Sequence, residues 1–197
     1  MFTALLDTNI LWPSLQRDFF LSLAIEGSFR PVWSEAVLDE LEESETRKLI
    51  ERRHLTPIRA QLSAMRLTDR MRHVFPEALV HGWEPLDGTF GLPDRDDEHV
   101  VAAAQVAGAG FIVTDNLKDF PVALLPVSIT PVSARKFAFD IVSDSPLRAL
   151  SALEEISQRS GLFGPETTSE QIIGHLESRY GFTDTAELLR LAAFEND

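Results

Sequence analysis

The chain contains no cysteine among its 197 residues. This absence excludes disulfides and thiolate metal sites, and it fits a reducing compartment such as the cytosol. No apolar run approaches the ~18–20 residues that a membrane-spanning helix needs. The first residues also show no basic segment followed by an apolar stretch and a small-residue cleavage site. We therefore expect a cytoplasmic protein with no membrane association.

Three catalytic motifs are missing as well. A glycine-rich phosphate loop ending in Lys-Ser or Lys-Thr is absent, which disfavours a P-loop nucleotide hydrolase. The sequence has no Gly-x-Ser-x-Gly, the nucleophile motif of α/β-hydrolases. The segment Asp7-Thr8-Asn9 lacks the second Asp, two residues on, that an aspartyl-phosphate phosphatase would need.

Positive charge is scarce overall but is concentrated in one stretch. The formal net charge of −13 argues against a simple cationic nucleic-acid binder. Between residues 45 and 73, however, eight Lys and Arg stand against three Asp and Glu. This stretch is either a solvated helix face or a surface that guides an RNA backbone. The basic residues expected to contact RNA are Arg47, Lys48, Arg52, Arg53 and Arg59.

Hydrophobic spacing and turn residues predict alternating strands and helices. Short strands are expected at residues 3–6, 31–33, 111–114 and 127–130. Helices are expected at residues 15–25, from 35 onward after an N-cap at Ser34, at 46–75 with a break near Thr56-Pro57, and at 97–107. Residues 82–93 have the composition of a loop. This alternation predicts an α/β fold with a parallel, doubly wound sheet.

After about residue 135, the sequence predicts helices only, with no further strands. Further helices are predicted at residues 137–142, 146–158, 169–180 and 185–193. Residues 136–197 contain five Lys and Arg against 11 Asp and Glu. We expect one domain over residues 1–135 and a helical C-terminal extension over residues 136–197, which either packs on the body or contacts a partner.

Four acidic or amide positions lie in or just past apolar runs: Asp7, Glu40, Asp97 and Asn116. Side chains at strand ends and helix starts of an α/β fold converge at one edge of the sheet. A cluster of carboxylates is costly unless a cation or protons neutralise it. Oxygen ligands without cysteine suit Mg²⁺ or Mn²⁺, which activate water and shield phosphate charge in an in-line displacement.

Each of these positions also has a structural explanation. Asp97 falls on the apolar stripe of its helix, which favours a site role over a second helix cap. Asp7 fits a ligand site and an Asx turn equally well. Glu40 and Glu42 lie at opposite margins of one apolar stripe, so spacing does not choose between a site residue and a solvated carboxylate. The segment after the strand at 111–114 either forms a turn or contributes a ligand.

Three segments resemble the motifs of PIN-domain ribonucleases, especially the VapC-like toxin branch. Residues 5–9 look like the opening motif of that family, residues 92–104 like its central motif, and residues 112–121 like its third. They occur in the expected order and spacing, and the resemblance covers about residues 1–135. It implies a PIN-like three-layer fold with a central parallel sheet.

The resemblance also implies an acidic metal site made of Asp7, Glu40 and Asp97. The fourth family position falls on Asn116, and a neighbouring carboxylate is an alternative there: Asp115 or Asp119. The activity implied is Mg²⁺- or Mn²⁺-dependent cleavage of RNA. The toxin branch further implies a homodimer and a cognate antitoxin that occludes the site. Two alternatives stay open: a non-catalytic PIN-like module that binds RNA or protein, and a stand-alone RNA-processing nuclease.

Overall fold

The computed structural model describes residues 2–162 and 166–196 of the chain. These residues form two compact units, one made of residues 2–12 and 31–132 and the other of residues 13–30 and 133–196. Across both described ranges, no helix combines the length and the apolar character needed to cross a membrane.

The first unit is built on a five-stranded parallel sheet. Its strands are β1 Thr3–Leu6, β2 Arg30–Ser34, β3 Leu79–Val80, β4 Phe111–Val113 and β5 Thr130–Val132. They are ordered β3-β2-β1-β4-β5, and β4 pairs in parallel with both β1 and β5. Leu5, Val32 and Ile112 of the three central strands are fully buried. The predicted α/β fold with a parallel sheet is therefore confirmed.

Helices lie on both faces of this sheet. The unit contains α1 Thr8–Leu11, α3 Glu35–Arg53, α4 Pro57–Val74 and α5 Glu98–Val106, while α2 Ser14–Ile25 belongs to the second unit. The chain crosses from β2 to β3 in one direction along the sheet and from β3 to β4 in the other. Because parallel crossovers are right-handed, α3 and α4 cover one face and α5 covers the opposite face. This is the three-layer arrangement that the sequence predicts.

The helix ends follow from local chemistry. Ser34 caps α3 as predicted, since its Oγ accepts a hydrogen bond from Val37 N at 3.2 Å. The predicted break is also confirmed: α3 ends at Arg53, His54 takes a left-handed conformation with φ 53°, and Pro57 opens α4. Proline is favoured there because the first helical N–H has no intrahelical partner.

One predicted strand is misplaced, and one strand of the sheet was not predicted. The strand expected at residues 127–130 is wrong in position, because β5 is Thr130–Val132 and Val127 is fully exposed. Pro131 lies inside β5, which the sequence disfavours, but β5 ends the sheet order and proline is tolerated in an edge strand. The two-residue β3 is too short to leave a hydrophobic pattern.

The second unit is wholly helical. It joins α2 to α6 Ala134–Asp144, α7 Pro146–Ser160, α8 Ser169–Tyr180 and α9 Thr183–Asn196, which confirms the four predicted C-terminal helices. Phe20 of α2 packs 5.8 Å from Phe137 and 6.1 Å from Phe182 between ring centroids. Arg159 of α7 donates to Asp18 of α2 at 3.1 Å. The division into domains at residue 135 stays a prediction.

Candidate active site

Asp7 lies at the carboxyl end of β1 and is only 5% exposed. Its Oδ1 accepts a hydrogen bond from Thr8 N at 2.6 Å, so it caps α1. Its Oδ2 accepts from Asn9 Nδ2 and, at 2.7 Å, from Thr114 Oγ1 at the end of β4. Burial raises the pKa of Asp7, although the hydrogen bonds from Thr114 and Thr8 oppose that rise. Asp7 is thus a helix cap and also a buried carboxylate at the sheet edge.

Asp97 comes just before α5, at the end of a short 3₁₀ turn, and is half-buried. Asp94 caps that turn through a hydrogen bond from Asp96 N at 3.0 Å. Within the described part of the chain, Asp97 makes no capping hydrogen bond to α5, and its Oδ2 is buried with no partner. Burial raises the pKa of Asp97 to about 6, and the charges of Asp7, Asp94 and Asp119 add to the rise. Capping therefore does not account for this carboxylate.

Glu40, on α3, connects to both α1 and α5. Its Oε2 accepts from Thr8 Oγ1, and its Oε1 lies 2.9 Å from His99 Nε2. Burial disfavours its charge, but the bonds from His99 and Thr8 hold the pKa of Glu40 below its usual value. Glu42 instead accepts from Thr68 of α4 at 3.2 Å. The two carboxylates that spacing could not separate therefore face different neighbours.

The chain after Thr114 offers three side chains for a fourth position. Asn116 is half-buried, and its backbone N donates to Thr114 Oγ1 at 3.0 Å. Asp115 is exposed. The side chain of Asp119 is only 15% exposed, and its charge contributes to the raised pKa of Asp97. Asp119 is therefore the residue of this segment whose charge acts on Asp97.

The five predicted RNA-contacting residues fall into two groups. The Lys48 side chain is 14% exposed, donates to Trp12 O at 3.2 Å and pairs with Glu45. Lys48 Nζ and the guanidinium of Arg52 lie 5.5 Å and 5.4 Å from the centroid of the Trp12 ring. The other four predicted residues are exposed: Arg47, Arg52, Arg53 and Arg59. Lys48 thus holds α3 against Trp12, whereas these arginines are accessible.

Two residues that the sequence did not single out complete the surroundings of Asp97. Glu98 is 2% exposed and accepts from the backbone N of Phe90, Gly91 and Leu92 at 2.8, 2.7 and 3.0 Å. These bonds hold the pKa of Glu98 below its usual value despite its burial.

The burial of Glu98 and His99 could have been predicted from the sequence. The continuous apolar run from Val100 predicts a helix that is buried on all sides, including its first turn. By that reasoning, Glu98 and His99 each need an internal partner.

The donor chemistry of this edge fits a hard divalent cation. Asp7 and Asp97 supply carboxylate oxygens, and the buried Oδ2 of Asp97 lacks a partner among the described residues. The oxygens of Glu40 have hydrogen-bonding neighbours in Thr8 and His99, and those of Asp7 accept from Thr8, Asn9 and Thr114. Within residues 2–162 and 166–196, no group of three or more His, Asp or Glu side chains is arranged to hold a metal ion. The fit therefore rests on the unpartnered Oδ2 of Asp97, with Asp7 as the carboxylate whose charge acts on it.

Comparison with protein-family models matches residues 3–118 to the PIN domain. Neither a curated protein nor a solved structure matches the chain. The matched segment covers more than half of the sequence and contains Asp7, Glu40, Asp97 and Asn116. PIN domains are typically nucleases, and their activity generally uses divalent metal ions. With its parallel sheet and its acidic sheet edge, the chain belongs to the PIN domain family.

Proposed function

We propose that this protein is a metal-dependent endoribonuclease that hydrolyses RNA phosphodiester bonds. The observation that carries the proposal is the unpartnered, buried Oδ2 of Asp97, a carboxylate whose pKa is raised by burial first and then by the charge of Asp7. A buried carboxylate whose ionisation is disfavoured by a second carboxylate favours a bound cation. In a PIN domain, that cation supports a nuclease.

Asp7 and Asp97 would hold a Mg²⁺ or Mn²⁺ ion between them. Such an ion, when bound, activates water and shields the charge of the scissile phosphate. Glu40, fixed between Thr8 and His99, orients the attacking water through its carboxylate. Asn116 positions water or phosphate, and Asp119 adds the fourth negative charge.

A nuclease assay tests this proposal. Purified protein is incubated with total RNA and with synthetic single-stranded RNA, in Mg²⁺, in Mn²⁺ and in chelator. We expect cleavage that needs the metal and that Asp97→Asn abolishes, with the fold unchanged by circular dichroism. Asp39→Asn is the matched control, because Asp39 is an exposed carboxylate on α3. Full activity of Asp97→Asn in Mg²⁺ would rule out the assignment.

A non-catalytic binding module is the main alternative, and calorimetry distinguishes it. The proposed enzyme binds Mn²⁺, and Asp97→Asn weakens that binding. An inert PIN-like module that binds RNA or protein shows no Mn²⁺ heat and no cleavage under any of the metal conditions.

We further propose that the nuclease is cytoplasmic and acts as the toxin of a toxin–antitoxin pair, as a homodimer inhibited by its cognate antitoxin. The support is the resemblance of its motifs to the VapC-like branch. A small gene just upstream that encodes a DNA-binding protein, and whose product blocks cleavage, would favour the toxin. Its absence would favour a stand-alone RNA-processing enzyme. Light scattering on the purified protein tests the homodimer.

A further inference from the structure

A cavity of about 490 Å³ lies beside Glu40 and His99. Its wall includes α3, the segment around Trp83 and Asp87, and the turn that carries Arg95. This volume falls in the range of small-molecule sites, roughly 300–1,000 Å³. Since Glu40 also belongs to the proposed active site, a group bound in the cavity would be next to the reacting phosphate.

We propose that this cavity binds a guanine base of the RNA substrate, from the nucleotide adjacent to the cleaved phosphate. The inference rests on the proposed nuclease function and adds the base that the site selects.

Trp83 supplies the surface on which a base stacks. Its side chain is half-buried in the cavity wall, and its ring lies 5.9 Å from the ring of His99, tilted by 55°. Proteins that read single-stranded RNA stack unpaired bases on aromatic side chains. A purine stacks over a larger area of the ring than a pyrimidine does.

The charges of the cavity select a base rather than a phosphate. Among the described residues that line it, the ionisable side chains are three carboxylates, the guanidinium of Arg95 and the imidazole of His99, which is paired with Glu40. The two remaining carboxylates outnumber Arg95. This excess of negative charge repels phosphate. Two of the carboxylates, Asp87 and Asp96, are exposed and only accept hydrogen bonds when ionised.

Guanine matches this set of groups better than the other bases do. Its N1–H and N2–H₂ lie side by side and can both donate to one carboxylate, while its O6 and N7 accept from an arginine. Adenine and cytosine place an acceptor beside their amino group, and uracil places a carbonyl on each side of its single N–H. Those acceptors would face a carboxylate, which disfavours the three competing bases.

The cavity wall is held in place before any ligand binds. Glu98 accepts the three backbone N–H groups of residues 90–92, which fixes the chain between Asp87 and Arg95. The backbone of Gly88, at φ +74°, passes close to the Arg95 side chain, since a Cβ at that position would lie 3.5 Å from an Arg95 guanidinium nitrogen. A fixed wall reduces the ordering cost of binding and sharpens selectivity.

Calorimetry with GMP, AMP, CMP and UMP, in chelator, tests base selection independently of cleavage. All four carry the same phosphate, so differences among them report the base. We expect GMP to bind roughly 10-fold or more tightly than each of the others. Equal affinity for the four nucleotides would overturn the proposal.

Substitutions in the cavity wall identify the residues that select guanine. Asp87→Asn or Asp96→Asn should reduce the preference for GMP about 10-fold. Trp83→Ala should weaken all four nucleotides by roughly 10-fold, and Trp83→Phe should retain most of the affinity. Glu84→Gln is the control, since Glu84 is an exposed carboxylate of the same loop that does not line the cavity. The proposal fails if both aspartate variants keep the full preference.

Sequencing of the cleavage ends separates this inference from the nuclease proposal. With Mn²⁺ present, we expect guanosine next to the cut, and a loss of that bias in the aspartate variant that loses GMP selectivity. Cleavage without base bias would overturn the guanine site and leave the nuclease intact. No cleavage of any RNA would overturn the nuclease, and with it the assignment of the base to a substrate.

Discussion

His99 Nε2 lies 2.9 Å from Glu40 Oε1 and joins α5 to α3 across the candidate active site. Burial works against a charge on His99, but its bond to Glu40 raises the pKa of His99 above its usual value. His99→Ala leaves Glu40 with Thr8 as its remaining hydrogen-bond donor. We expect kcat to fall about 10- to 100-fold with little change in KM, as for other partners that orient active-site ligands.

Two comparisons separate this positioning role from a loss of stability. His99→Gln retains an N–H donor for Glu40 and should recover part of kcat. His73→Ala removes an exposed histidine of α4 and should leave both kcat and KM unchanged. If His99→Ala has wild-type kcat at a temperature where it is fully folded, Glu40 does not depend on His99.

Glu98 holds the loop before Asp97 through three backbone N–H groups. Glu98→Gln should lower the free energy of unfolding by about 3 kcal/mol, because an amide offers one acceptor oxygen and turns its NH₂ toward other donors. Urea denaturation measures the change. Faster hydrogen exchange at residues 90–92 should accompany it.

The matched control for Glu98 is Glu84→Gln in the same loop. Glu84 is exposed, so its replacement should change the free energy of unfolding by less than about 0.5 kcal/mol. Equal values for the two variants would show that the buried carboxylate does not stabilise the loop.

The sequence predicts the parts of this structure that depend on neighbours in the chain. The strand at residues 3–6, the cap at Ser34 and the break before Pro57 are local, and all three are confirmed. Asp97 was also accessible to local reasoning, because its position on the apolar stripe of the helix expected at residues 97–107 predicts the half-buried side chain that the structure shows.

The remaining features depend on contacts between distant residues. Glu40 and His99 are 59 residues apart in the chain, and no spacing on one helix shows that Glu40 meets His99 while Glu42 meets Thr68. The effect of Asp119 on Asp97 likewise arises from the packing of two separate turns. The packing of α2 with the C-terminal helices has the same long-range origin.

Asp97 should make the stability of the metal-free protein depend on pH. Its pKa is about 6 in the folded state against an ordinary value of 3.8, so the folded state binds more protons between these values. The free energy of unfolding therefore falls as pH rises through this window, and the loss is complete above about pH 7. Asp97→Asn removes the titrating group. In chelator at pH 7.5, it should be more stable than the wild type.

The size of this effect is on the order of 1 kcal/mol, because a half-exposed carboxylate is partly screened by solvent. That corresponds to about 2–4 °C in Tm for a chain of this length. The difference should vanish below about pH 3, where Asp97 is protonated in both states. Added Mn²⁺ should raise the Tm of the wild type more than that of Asp97→Asn. A Tm difference that is the same at pH 4 and pH 7.5 would contradict the raised pKa.

The exposed arginines of the α3–α4 region should contribute to RNA binding through their charge. In an Asp97→Asn background, the double variant Arg53→Ala with Arg59→Ala should bind single-stranded RNA about 10-fold more weakly at low salt. The slope of log K against log salt should fall by about 1.4, since each lost phosphate contact removes about 0.7. Fluorescence anisotropy across a salt series measures both quantities.

Two single variants serve as controls. Arg179→Ala removes an exposed arginine of α8 and should leave the slope unchanged. Lys48→Ala should also leave it unchanged, because Lys48 is occupied by Trp12 and Glu45. An unchanged slope in the Arg53/Arg59 double variant would place the RNA elsewhere on the protein.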